Sequence, residues 1–256
     1  MPDAVAIDIH SHIFPGVDDG SPDMEESLRM AELACSGGSR IVVATPHFNP
    51  SDPYAVSFLS DKSMRKELSR FRKLLSERDI PLTIACGMEL LCTEDTMDAV
   101  LDKRVVTLNK TDYLLVEFLF DSDPAFVRYM LKSLSEIGII PVLAHPERYF
   151  FVQRDPQMIY DWVLSGCIMQ CNRGSVLGGF GKAEQDTVME LLDRDLVHCI
   201  ASDAHGSSSR IPYMADVYDF IENRYGKMRA KRLMFDNPGK ILMNIPPELS
   251  HPIPFR

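Results

Sequence analysis

The stretch IDIHSHIFPGVDDG, from Ile7 to Gly20, completes a short apolar strand beginning at Ala4. It then places His10 and His12 two residues apart, ahead of the acidic pair Asp18 and Asp19. Side chains at i and i+2 of an extended segment share a face, so both imidazoles can converge on one point. A proton shuttle needs one histidine. Two on one strand face, with carboxylates close behind, suit a divalent metal better. A lone His-x-His is more often one buried polar residue beside one surface residue, so the rest of the chain has to decide.

Outward from this stretch, strands and helices alternate. Ser21 and Pro22 are placed to cap and open a helix carrying Met24, Leu28, Ala31 and Cys35 at helical spacing, which Gly37-Gly38 ends. Strands are expected at 40–45, 82–86, 113–116, 139–144, 167–171 and 197–201 after the first. Helices are expected at 61–77, 93–101, 124–137, 156–164 and 182–193, with two or three more closing the chain. Residues 48–60 read as a loop, and the proline-rich tail 246–256 as extended surface. Seven strands in strict β–α alternation, without a repeat or a linker, predict one domain over 1–256 built on a parallel sheet.

Six of those strands end in a metal-ligating residue: His10 and His12, His47, Glu89, Glu117, His145, and Asp203 with His205. An open sheet would spread these ends along a line, whereas a barrel gathers them around one mouth. Each has a bland reading alone, but the same placement six times over points to an α/β, TIM-like barrel. Five histidines and several carboxylates exceed what one zinc needs, so two or three metals are implied. Mixed imidazole and carboxylate ligands suit manganese, iron or zinc. Three divalent ions carry six positive charges, of which Asp19, Glu89, Glu117 and Asp203 cancel four. The remainder matches a phosphate dianion, whose second pKa is about 6. Arg148 and Arg210 follow His145 and His205 closely enough to reach the same mouth, and the planar guanidinium fork suits phosphate oxygens.

The balance of charge excludes other classes. A formal charge of −10 disfavours nucleic acid as a main partner. The uncharged apolar run from Ile137 to Ala144 is too short to span a bilayer. The N-terminus lacks the basic and apolar regions of a secretory signal, and the six cysteines sit in apolar contexts. A reduced, cytoplasmic protein without membrane insertion is expected.

With its A-T-P-H, G-M-E, V-E-F, A-H-P-E-R-Y, A-S-D-A-H and D-N-P-G-K-I-L segments, the chain from Ile7 to about Leu242 resembles the PHP (polymerase and histidinol phosphatase) family. It is most similar to the branch of bacterial tyrosine phosphatases encoded with capsule and exopolysaccharide genes. The resemblance implies a distorted barrel of seven β/α units and a trinuclear, usually manganese-dependent site. His10, His12, Glu89 and Asp203 would hold one metal. Glu89 would bridge to a second held by Glu117 and His145, and Asp19, His47 and His205 would hold the third. Arg148 and Arg210 match the family's phosphate-binding arginines. Asn172-Arg173-Gly174 departs from the small polar residues of relatives, with Arg173 either a further phosphate contact or a surface residue. The implied activity is phosphotyrosine hydrolysis by metal-activated water, on the tail of a bacterial tyrosine kinase controlling polysaccharide export. A histidinol-phosphatase-like activity on a small phosphoester is the alternative, and the oligomeric state is left open.

Three rival motifs are weaker. Cys167 to Arg173 fits C-x5-R, but Ile168 and Met169 continue a strand pattern rather than an anion-binding loop. Gly178 to Ala183 imitates a P-loop without the Ser or Thr after its lysine. An amidohydrolase barrel would want a histidine where Asn172 stands. A metal-stabilised scaffold without activity would need fewer ligands and a closed site.

Overall fold

The computed structural model describes residues 6–53, 61–248 and 251–255. The expectations for Ala4 and Val5, and for 54–60 of the predicted loop, lie outside them. The described part of the tail, 246–248 and 251–255, has no regular secondary structure.

Strands β1 (Ala6–Ser11), β2 (Ser39–Ala44) and β4 (Thr83–Cys86) form one sheet in the order β1-β2-β4. A second sheet holds β3 (His47–Phe48), β5 (Glu89–Leu91), β6 (Tyr113–Glu117), β7 (Ile140–Ala144), β8 (Ile168–Asn172) and β9 (Cys199–Ala201) in that order. Every pairing is parallel. Seven strands are expected and nine are found among the described residues, because β3 and β5 resume the ladder past two expected strand ends. Phe48, expected in the loop, belongs to β3. Thr45-Pro46 separates β2 from β3, and Gly87-Met88 separates β4 from β5. Backbone bonds carry the ladder through both breaks: Thr45 N–H donates to Ser11 O, Gly87 N–H to Ala44 O and Glu89 N–H to Pro46 O, at 2.9–3.0 Å. Gly87 is closely packed: a Cβ there would stand 2.8 Å from Leu108 Cδ2, which would have to move aside.

Residues alternate between two apolar layers along the strands, as the pleat demands. Tyr113, Leu115, Val142, Ala144, Ile168, Cys199 and Ala201 lie in one cluster. Leu114, Val116, Leu143, Met169, Cys171 and Ile200 lie in the other, which packs against the helices. Continuing the first face by steps of two leads from Leu115 to Glu117 and from Ile168 to Gln170 and Asn172. The face is apolar at the strand starts and turns polar at their carboxyl ends.

The predicted helices form, with two corrected starts: the helix expected from Thr93 begins at Thr96, and the first helix takes a different cap. Helix α1 (Met24–Ser36) is capped by Asp23, whose carboxylate accepts from Glu26 N–H at 2.9 Å. Ser21, expected in that role, is buried and donates to Asp23 O instead, at 2.8 Å. Pro124–Glu136 starts with its proline and with an Asp123 cap, and Gly138 at φ 85° lets the chain turn away. At the end of the chain Ala215–Tyr225, Lys227–Lys231 and Asn237–Leu242 follow one another, with a π-helical turn at Arg232–Asp236. The D-N-P-G segment ties this end to the strands, because buried Asn237 donates to His198 O and accepts from Glu248 N–H.

Candidate metal centre

All nine predicted ligands meet at the carboxyl ends of the strands. His10 is on β1 and His12 just past it, His47 and Glu89 open β3 and β5, and Glu117 closes β6. His145 directly follows β7, Asp203 and His205 follow β9, and Asp19 comes from the loop after β1. His145, Asp203 and Arg210 hold positive φ (36°, 50° and 47°), a conformation that costs energy in non-glycine residues and that clusters at functional sites. An apolar cavity of about 480 Å³, lined by Ile7, Ile41, Thr83, Phe235 and Leu242, lies at the amino ends instead. It holds no such cluster of imidazoles and carboxylates.

Seven of the nine fall into three overlapping groups, each within 4.8 Å: His10, His12 and Glu89; His47, Glu89 and Glu117; and His12, Asp19, His47 and His205. His145 and Asp203 lie beside these groups rather than in one. Glu89 Oε2 stands 3.1 Å from His10 Nε2, 3.2 Å from His12 Nε2 and 3.1 Å from His47 Nδ1. Its Oε1 is 3.0 Å from His145 Nε2. Asp203 Oδ1 is 3.4 Å and 3.5 Å from the two Nε2 atoms of His10 and His12. Glu117 lies 2.9 Å from His47 Nδ1 and 3.7 Å from His145 Nε2. Asp19 Oδ1 is 3.5 Å from His47 Nε2 and 3.3 Å from His205 Nε2. His47 thus touches two groups, one through each ring nitrogen.

These spacings fit shared cations. With bonds of about 2.0–2.2 Å, neighbouring ligand atoms stand roughly 3.0 Å apart in an octahedron and 3.4 Å in a tetrahedron. Among the described residues, Glu89 Oε2 and His205 Nε2 are buried in the centre without a hydrogen bond, although three imidazole nitrogens stand 3.1–3.2 Å from Glu89 Oε2. A buried carboxylate oxygen left in that state is costly unless a cation faces it.

A layer of residues behind the ligands fixes which nitrogen points inward. Asp18 accepts from His12 Nδ1 at 2.7 Å and from the His47 and Gly20 N–H groups at 3.0 Å. Gln170 Oε1 is 2.7 Å from His10 Nδ1, while its Nε2 donates to Cys171 O and Asn172 Oδ1, which sets the amide's orientation. Asn172 in turn donates to Asp203 Oδ2 at 2.6 Å. His205 Nδ1 is 3.0 Å from Asp203 O. With Nδ1 taken, the three imidazoles present Nε2 to the centre. Sequence reasoning noted Asp18 only as half of an acidic pair and missed Gln170. The signal was Gln170's two-residue step beyond Ile168 on the inward face.

Electrostatically the centre is a field of carboxylates. Burial raises the cost of charge on Glu89 and Asp203, yet the histidines around them hold both well below the usual carboxylate range. The His47 hydrogen bond, with His205 nearby, keeps Asp19 low as well. Burial opposes charge on His47, but Asp19 and Glu117 push its pKa up to about 10. His205 goes the other way, to about 4, through burial and its position beside His12. Carboxylates and imidazoles arranged in this way are the donor set that divalent cations take, and binding to such a set releases the imidazole protons.

Arg210 Nη2 donates to Asp203 Oδ2 at 2.6 Å, and Arg148 Nη1 approaches the same oxygen at 3.6 Å. Both predicted arginines therefore stand at the edge of the centre. Arg173 does not join them, because its guanidinium is paired with Asp216. The rival motifs dissolve as well. Cys167 lies just before β8 with Arg173 beyond the strand's other end, and burial pushes the Cys167 thiol up to about 12. The P-loop imitation leads into the helix Lys182–Asp193, where Lys182 pairs with Asp186.

The model of the family described as "Capsular polysaccharide synthesis, CpsB/CapC" matches residues 6–243. Tyrosine-protein phosphatase YwqE of Bacillus subtilis is 34% identical over 242 residues, covering 93% of this chain and 92% of its own. Tyrosine-protein phosphatase CpsB of Streptococcus pneumoniae is 34% identical over 249 residues, covering 93% and 98%. A crystal structure from work on these two proteins, described there as unique metal-dependent tyrosine phosphatases, superposes with a TM-score of 0.89 at 31% identity. It covers 98% of this chain and 99% of the other. A hydrolase from Acinetobacter baumannii, 14% identical with a TM-score of 0.51 over 93% of this chain and 99% of its own, shares the fold alone.

Proposed function

The chain belongs to the CpsB/CapC family of capsular polysaccharide synthesis, and from that premise we propose that it is a metal-dependent protein-tyrosine phosphatase. The observation that carries the proposal is one mouth where imidazoles and carboxylates stand at cation-sharing distances beneath two arginines. We read the two sheets as one distorted (β/α)7 TIM-like barrel, a single domain over 1–256. The bridge between Ser11 and Ala204, with Asp203 N–H donating to His10 O, supports this reading.

Three divalent cations are assigned, manganese first, with iron or zinc as alternatives. His10, His12, Glu89 and Asp203 would hold one, Glu89, Glu117 and His145 the second, and Asp19, His47 and His205 the third. When bound, they supply a water of lowered pKa and neutralise charge on the transferring oxygens. Asp18 and Gln170 keep the His12 and His10 rings aimed at the centre. Arg148 and Arg210 bind the phosphate oxygens through their N–H groups. The tyrosine phenol, with a pKa of about 10, leaves more readily than an alkyl alcohol. No side-chain nucleophile takes part, which agrees with Cys167 being buried just before β8.

The substrate we assign is a phosphotyrosine protein, the tail of a bacterial tyrosine kinase controlling polysaccharide export, met in the cytoplasm. No helix of the described residues is long and apolar enough to cross a membrane. The test is turnover of a phosphotyrosine peptide, a phosphoserine peptide and histidinol phosphate by protein loaded with defined metals. Preference for the phosphotyrosine peptide, dependent on metal, is expected. Faster turnover of histidinol phosphate would replace this reading with a small-molecule one.

A further inference from the structure

Gly178-Gly179-Phe180-Gly181 has no phosphate-cradling role, yet it is built with care. Gly178 and Gly181 hold φ of 78° and 126°, which side-chain-bearing residues rarely adopt. Gly179 N–H donates to Gly174 O at 2.7 Å and Gly178 N–H to Ser175 O at 3.1 Å, stapling the loop to the short helix Arg173–Val176. The Phe180 ring rests on Gly174, where a Cβ would meet ring atom Cε2 at 2.6 Å. Phe180 belongs to neither apolar cluster of the core, so packing does not explain it. Its ring faces the arginines instead. The guanidinium carbon of Arg148 lies over it at 4.7 Å, and that of Arg210 at 5.6 Å. Phe120, from the segment after β6, lies under Arg148 at 4.6 Å.

We infer that Phe180, seated on Gly174 by the glycine loop, is a positioning residue that holds Arg148 and Arg210 for phosphate binding, with Phe120 as the second ring under Arg148. The inference rests on the reading of these arginines as phosphate ligands. Two long side chains at an open mouth must be ordered before they can bind. A carboxylate orders a guanidinium but takes its N–H groups, as Asp203 does with Arg210 at 2.6 Å. An aromatic face attracts the cation and uses none of its donors. Arg148 shows the need, since its nearest carboxylate oxygen is 3.6 Å away.

The test uses metal-loaded protein, with steady-state kinetics on a phosphotyrosine peptide and inhibition by inorganic phosphate. Phe180→Leu should raise KM and the phosphate inhibition constant roughly three- to thirtyfold, with metal content unchanged. Phe180→Tyr, which keeps the aromatic face, should restore most of the loss. Gly174→Ala should displace the ring and weaken phosphate binding to a similar extent. It should cost nothing further beside Phe180→Leu, which lacks the Cε and Cζ atoms that the new methyl group meets. Wild-type phosphate inhibition in Phe180→Leu, or an equal Gly174→Ala loss with leucine at 180, would overturn the inference. Arg148→Ala and Arg210→Ala serve as controls. If they too bind phosphate normally, the arginine reading fails and takes the inference with it. If only the Phe180 variants do, the arginines stand and the positioning role falls.

Discussion

Asp203 divides its two oxygens between two tasks: Oδ1 faces His10 and His12, while Oδ2 accepts from Arg210 at 2.6 Å. Asn172 donates to that same Oδ2. One carboxylate thereby joins the candidate metal centre to the arginine that stands over it. Under the proposed assignment, substrate binding and metal binding would meet at Asp203, whose φ is 50°.

The two functions should still separate on mutation. A guanidinium stays protonated and offers no lone pair, so Arg148→Ala and Arg210→Ala should keep their metal. Each charged hydrogen bond to phosphate is worth about 1.5–3 kcal/mol, so kcat/KM should fall roughly ten- to a hundredfold per arginine. Lysine at either position should recover only part, since it keeps the charge but loses the fork. Kinetics beside metal analysis decides this, and full activity in both alanine variants would leave the cations as the whole phosphate site.

The residues behind the ligands should matter nearly as much as the ligands. Gln170→Leu releases His10 Nδ1, and Asp18→Asn weakens the hold on His12 Nδ1. Losing such an orienting partner costs roughly ten- to a hundredfold in metal affinity or activity. Titration with manganese should give weaker binding in both variants while the circular dichroism spectrum stays that of the wild type. Unchanged affinity in both would mean that the strand geometry alone aims these rings.

A third outcome separates metal from thiol chemistry. Cys167 is buried and its thiol is held un-ionised up to about pH 12. Cys167→Ser should therefore stay active, chelator should abolish turnover, and manganese should restore it. An inactive Cys167→Ser protein with normal metal content would bring back a cysteine nucleophile.

Much of this centre was legible because strand ends are. His10, His47, Glu117 and His145 each stand where an apolar run stops, and a barrel-like arrangement brings such stops together. The resumption of the strands past Thr45-Pro46 and Gly87-Met88 was not legible, since proline and glycine there read as strand ends and the backbone bonds that bridge the breaks come from neighbouring strands. Gln170 looked like one more strand residue, and its role depends on His10, 160 positions away in sequence. Arg173 stayed open between a phosphate contact and a surface residue because its partner, Asp216, lies 43 positions away in sequence. Phe180 was hidden for the same reason: an aromatic ring in a glycine loop declares no partner until Arg148 and Arg210 are folded over it.

The last prediction concerns stability away from the mouth. His198 is buried, and its Nδ1 accepts the Met169 N–H at 3.0 Å, so a proton on that nitrogen would face another donor. Burial, with Asp195 opposing and Arg232 assisting, lowers its pKa from 6.5 to about 4. Below pH 6.5 the unfolded chain takes up a proton that the folded chain refuses. The stabilising contribution of neutral His198 is therefore complete above pH 6.5 and is lost as pH falls towards 4. One pKa unit is worth about 1.4 kcal/mol, so the loss across that window is roughly 3 kcal/mol. Other groups titrate over the same range, which makes the comparison with His198→Gln the informative one. Glutamine can accept the Met169 N–H but does not titrate. Urea unfolding of both proteins, stripped of metal, at pH 7 and pH 4 should show the wild type losing about 3 kcal/mol more than the variant. Parallel losses in the two would mean that His198 takes up its proton in the folded state, with Met169 N–H finding another acceptor.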